Sequence, residues 1–106
     1  MNVKDLILEA RTQAANATNV YLGELGQDQF PCGFAWVNIK PARGPVVKAL
    51  KEMGIGRTDS YYGGYTVWNP SENFCQSVDA KLAGARAFAK VLNDAGVKCI
   101  AESRWD

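Results

Sequence analysis

Histidine is missing from all 106 residues. With it go the usual general base near neutral pH and the commonest zinc ligand. Cysteine is scarce and badly spaced for chemistry. The three present, Cys32, Cys75 and Cys99, form no CxxC pair, which excludes the common zinc modules and a thioredoxin-type motif. Their odd number and wide separation point to reduced thiols that pack as small apolar side chains, with Cys32 the most exposed. Neither sign of charge dominates, since 12 basic residues face 11 acidic ones for a net +1. That balance disfavours a nucleic-acid mimic, which would be strongly acidic. It also argues against a protein living on duplex DNA or an anionic membrane, while leaving room for a local basic patch. No apolar run approaches membrane-spanning length, and MNVKDLILEA lacks the apolar core of a signal peptide. The expected location is the cytosol.

What is present is ordinary globular composition, 47% apolar and 22% charged, in a chain of single-domain size. Val3, Leu6, Ile7, Ala10, Ala14, Ala17 and Tyr21 recur at three- and four-residue steps. This predicts a helix over 1–23, capped by Asn2 with Asp5 in its first turn. A polar loop through Gly26 and Gln29 to Pro31 follows. FAWVNI, Phe34 to Ile39, reads as a central strand covered on both faces, ended by Pro41. Gly44 and Pro45 start a short helix with Val46, Val47, Leu50 and Met53 on one side, and Gly54 stops it. Ser77 caps a third helix carrying Val78, Leu82, Ala85, Phe88 and Leu92, stopped at Gly96. Val97 to Glu102 reads as the last strand.

Between the second and third helices lies the stretch around which the chain is organised, YYGGYTVWNPSENFCQS from Tyr61 to Ser77. It holds three of the four tyrosines beside Gly63-Gly64, which fits either one bent strand or a hairpin. A weak internal echo, WVNIKP–helix–MGIG against VWNPS–helix–AGVK, suggests two strand–helix–strand units sharing a middle strand. The expected fold is therefore α/β or α+β, a single-domain two-layer sandwich. An N-terminal helix precedes a β-α-β(β)-α-β core over 34–102, with a small mixed sheet of three to four strands.

Three candidate sites follow. In IKPARG, Lys40 and Arg43 stand beside Gly44 at a helix N-terminus, where free N–H groups and the dipole favour an anion. The spacing matches no phosphate-loop fingerprint, and a solvated basic turn also accounts for it. If the two units are parallel neighbours, NPSENFCQS emerges at the same sheet edge. Asn69, Ser71 and Gln76 would then add neutral hydrogen bonds, although turn formation and helix capping also explain these residues. The third candidate is the aromatic set Tyr61, Tyr62, Tyr65 and Trp68 beside Arg57, able to stack on a base, to centre a protein interface or to form a second buried layer. Trp36 reads as core. No catalytic residue is assigned, because Asp59, Glu72, Glu102 and Asp106 show no diagnostic pairing. No metal or cofactor is expected, and the chain reads as a non-enzyme.

The segments PCGFAWVNIKPARG, GRTDSYYGGYTVWNPS and KLAGARAFAKVLNDAG resemble a group of small accessory proteins of tailed bacteriophages. The likeness runs from Pro31 to Asp106 and leaves the first helix uncovered. It implies action in the bacterial host cytoplasm and carries over no catalytic residue. Together these readings predict a binding protein for a phosphorylated small molecule or short nucleic acid, serving to counter host defence. The alternatives are a protein-binding inhibitor of a defence complex such as a CRISPR effector, and a structural homo-oligomer.

Overall fold

The computed structural model describes residues 2–25, 32–75 and 77–105. Three helices, α1 (Val3–Leu25), α2 (Pro45–Glu52) and α3 (Val78–Asp94), pack on one face of a four-stranded sheet. Its strands are β1 (Gly33–Ile39), β2 (Arg57–Thr58), β3 (Tyr65–Trp68) and β4 (Cys99–Trp105), in the order β2-β3-β1-β4. The expected α+β sandwich with an N-terminal helix is what forms. Every ladder is antiparallel, however, where a mixed sheet was anticipated.

The reason lies in how the two strand–helix–strand units combine. β1-α2-β2 and β3-α3-β4 are each parallel crossovers, but neither pair of strands is adjacent: β3 slots between β1 and β2, and β1 between β3 and β4. This is the split β-α-β arrangement. Interleaving the units, rather than sharing a strand, makes β1 and β3 antiparallel and sends their carboxyl ends to opposite edges.

The caps behave as the sequence implies. The Asn2 side chain accepts from the Asp5 amide at 2.8 Å, and Ser77 accepts from the Ala80 amide at 3.2 Å. Gly44 precedes Pro45 at the start of α2. α1 runs on through Leu25, past the fading point expected between Thr18 and Gly23. It is held there by α3. The Thr18 hydroxyl donates to the Ala80 carbonyl at 2.8 Å, while Ala14 lies against Gly84, so the two helices run in opposite directions. A Cβ at Gly84 would run into Thr18 Oγ1 and sit 2.8 Å from the Ser71 Cβ, so the close approach needs glycine. An ion pair from Arg11 to Glu72 fastens α1 to the turn after β3.

The core lies between helices and sheet. Ile7, Leu50, Phe88 and Leu92 are fully buried, and Ala35, Val37, Ile39, Tyr65, Val67 and Cys99 meet them from the strands. These strand residues occupy alternate positions, as a pleated sheet requires. β1 is central as expected, but only one of its faces is covered. The last strand also starts later and runs further than Val97 to Glu102, to Trp105, because β1 offers Gly33 to Ile39 as a full-length partner.

Candidate functional site

Among the described residues, the other face of the sheet carries no helix. On β1 it presents Phe34, Trp36 and Asn38, with Lys40 just past the strand's end; on β3, Thr66 and Trp68; on β4, Ile100, Glu102 and Arg104; on β2, Arg57. Register places Trp36 directly opposite Trp68. Their rings stack with centroids 5.3 Å apart and planes 6° from parallel, and Phe34 tilts against Trp68 at 5.5 Å. The Trp36 indole donates to Glu102 Oε2 at 2.8 Å, which fixes the ring. Trp68 remains 49% exposed, so its outer surface is available for stacking.

One end of this face is walled by the loop from Asp59 to Gly64, which closes the β2–β3 hairpin. Asp59 organises it. Its carboxylate accepts from the Tyr61 and Tyr62 amides at 2.9 and 3.0 Å, and its carbonyl accepts from Gly63 at 3.1 Å. Those two amide bonds, aided by the charges of Arg57 and Lys40, hold the Asp59 carboxyl below the usual carboxylate range. The loop then folds onto the sheet, where the Asn38 amide donates to the Gly63 carbonyl at 3.1 Å and to Thr66 Oγ1 at 3.3 Å. Gly64, with φ of 80°, lies so close that a Cβ would sit 2.6 Å from Asn38 Oδ1 and 2.8 Å from Lys40 Cγ. The glycine pair is thus a hairpin feature that lets Tyr62 overhang the sheet. The groove so formed encloses about 580 Å³ and reaches from Lys40 and Tyr62 past the tryptophan pair to Arg104.

Its charges are arranged asymmetrically. Each carboxylate on or beside this face has a partner within the protein: Asp59 in the loop amides, Glu102 in the Trp36 indole, Glu72 in Arg11. The cations differ, although Lys81 donates to the Gly33 carbonyl at 3.1 Å. Among the described residues, Lys40, Arg57, Lys81 and Arg104 form no ion pair with a carboxylate. Lys81 and Arg104 lie over the Phe34 ring, each 5.5 Å from its centroid. A near-neutral chain thus presents four cations without a carboxylate ion pair, among the described residues, around an aromatic floor.

Of the sequence-predicted site residues, Lys40, Arg57, Tyr62 and Trp68 line this groove together. The others do not. Tyr65 is 2% exposed in the core, and its hydroxyl donates to the Ile55 carbonyl, so it cannot stack on a ligand. Arg43 and Gly44 lie exposed in the turn before α2, outside the groove. Asn69 and Ser71 sit beyond the end of β3, on the edge opposite Lys40, so the shared site imagined for the two loops does not form. Their bonds are local: the Asn69 amide donates to the Asn73 carbonyl at 3.0 Å and the Ser71 hydroxyl to Asn69 at 3.4 Å. Gln76 lies outside the described residues, as do Asp106 and the loop from Gly26 to Pro31.

Trp36 lies on the groove floor rather than in the expected core, Phe34 and Arg104 are not site candidates in the sequence reading, and Glu102 enters it only as a carboxylate without a partner. A signal for them exists in period two. Phe34, Trp36, Asn38 and Lys40 alternate with Ala35, Val37 and Ile39, and a face ending in Asn and Lys is an uncovered one.

Comparison with family models, curated proteins and solved structures finds no match to this chain. The groove therefore has to be read from its own chemistry. Among the described residues no cluster of three His, Cys, Asp or Glu side chains could hold a metal ion, and no helix is long and apolar enough to cross a membrane. Cys99 is buried against α3, where desolvation pushes its thiol up to about 11 and keeps it unreactive at neutral pH.

Proposed function

We propose that the chain is a binding protein whose open sheet face takes a nucleotide or short nucleic acid, without chemistry on it. The supporting observation is the pairing of an exposed, stacked Trp36–Trp68 floor with cations that have no carboxylate partner. A base laid on the outer face of Trp68 gains stacking energy whatever its identity. Lys40 and Arg57 at one end, and Arg104 at the other, then meet phosphate. Tyr62 overhangs the bound base from the loop. The resemblance to small phage proteins adds a setting, action inside an infected bacterium against a host defence that uses such ligands.

Salt response tests this. Three phosphate contacts to a single strand give a slope of roughly −2 in log K against log salt. Arg57→Ala should lower that slope by about 0.7 and weaken binding, while Arg43→Ala should change neither. Binding insensitive to salt, or equally affected by both substitutions, refutes the assignment of these cations.

A second reading is favoured by Tyr61 and Tyr62, which are 85% and 75% exposed and packed edge to face at 4.6 Å. Such a pair is suited to a protein interface, as in an inhibitor of a defence complex. Tyr61→Ala should weaken capture of a protein partner and leave the nucleotide affinity intact, since Tyr61 does not line the groove.

A further inference from the structure

We infer that the ligand is a single-stranded oligonucleotide rather than a mononucleotide, lying along a track from Lys40 to Phe74. This rests on the reading of the open face as a nucleotide site and narrows it. The groove already described shares Trp68 with a second depression of about 420 Å³, lined also by Phe34, Phe74, Lys81, Asn69 and Glu72, whose carboxylate is paired with Arg11. Phe74, in the loop before α3, is 92% exposed and makes no ring contact among the described residues. The two depressions form one path along which aromatic rings recur, Tyr62, then the tryptophan pair, then Phe34, then Phe74, with Asn38, Thr66 and Asn69 between and beside them.

Cations stand at both ends of this path, Lys40 and Arg57 at the first, Arg104 and Lys81 at the second. Along β1, Phe34 and Lys40 are six residues apart. At about 3.3 Å per residue that is roughly 20 Å. One nucleotide brings one base and one phosphate group. It cannot reach cations at both ends while its base stays on Trp68. A single strand supplies the repeat that the surface supplies, bases for the aromatic floor and phosphates for the flanking cations. A duplex does not, because its bases are paired and stacked inside.

The test titrates the full chain with thymidine 5′-monophosphate and with oligothymidylates up to the tetranucleotide, followed by the indole N–H signals of the tryptophans. Each added nucleotide should tighten binding at least about fivefold, the low end of base–aromatic stacking. Phe74→Ala should leave monophosphate affinity unchanged and weaken the tetranucleotide by at least about fivefold. Equal affinity for monophosphate and tetranucleotide would overturn the track while sparing the nucleotide site. No binding of any of them to protein shown folded by circular dichroism would overturn both. Self-association that Phe74→Ala abolishes, without nucleotide binding, would assign the face to a second copy and overturn both as well.

Discussion

Truncating Trp68 to Ala separates what this residue does for the fold from what it does for a ligand. The side chain is about half exposed and sits on an outer sheet face, not in the core. Full truncation of a buried aromatic costs about 3–5 kcal/mol, so half of that, near 2 kcal/mol, is the scale here, including its stacks on Trp36 and Phe34. For a domain of this size that lowers Tm by roughly 8–16 °C. The protein should stay folded at 25 °C. Binding should respond more sharply. Removing a stacking platform worth about 1–3 kcal/mol weakens an oligothymidylate by roughly 5- to 150-fold. Trp68→Phe, which keeps an aromatic surface opposite Trp36, should recover most of both losses. The assay is fluorescence anisotropy of a labelled tetrathymidylate beside a thermal melt of each variant. Unchanged affinity in folded Trp68→Ala would show that the tryptophan pair is not the binding floor. A loss that Trp68→Phe does not rescue would point instead to a collapsed face.

Other outcomes follow from the same geometry. Phe88→Ala, at the centre of the helix–sheet core, should cost about 3–5 kcal/mol and leave little folded protein at 37 °C, read by chemical denaturation. Gly84→Val should push α1 off α3, because Thr18 and Ser71 already occupy the space a side chain would need; lost near-ultraviolet dichroism would show it, and a native spectrum would refute the close packing. The Asp59 carboxyl has a lower pKa folded than unfolded, so its stabilisation of the loop is complete above the unfolded value of about 3.9 and is lost as pH falls through the lower folded one. The Tyr61 and Tyr62 amide signals should therefore shift only in that acid range, and Asp59→Ala should abolish the transition. Gly64→Val should lift the loop from Asn38 and Lys40 and weaken ligand binding more than it lowers Tm, since the loop lies outside the core.

The elements themselves were legible in the chain because their causes are local. Asn2 and Ser77 as caps, Pro45 at the first turn of α2, and the 3.6-residue stripe of Val78, Ala85, Phe88 and Leu92 act within a few residues of themselves. The hairpin at Gly63-Gly64 was visible as one of two options, settled by Asp59 capping the tyrosine amides. The candidate site was only half visible. Lys40, Arg57, Tyr62 and Trp68 could be picked as cationic or aromatic residues, yet Tyr65 looked equivalent to them. Only the β1–β3 register puts Tyr65 opposite Ile39 in the core and Trp68 opposite Trp36 on the open face.

Sequence alone determined the composition, the helix ends, the strand candidates and the lack of a histidine-based chemistry, since each depends on residue identity and short-range spacing. Strand order was decided by tertiary structure. Interleaving the two strand–helix units reversed β3 relative to β1, separated the loops after those strands, and left one sheet face bare between Lys40 and Arg104. Long-range pairing is set by how three helices bury one face of the sheet together. No window of the chain holds that information.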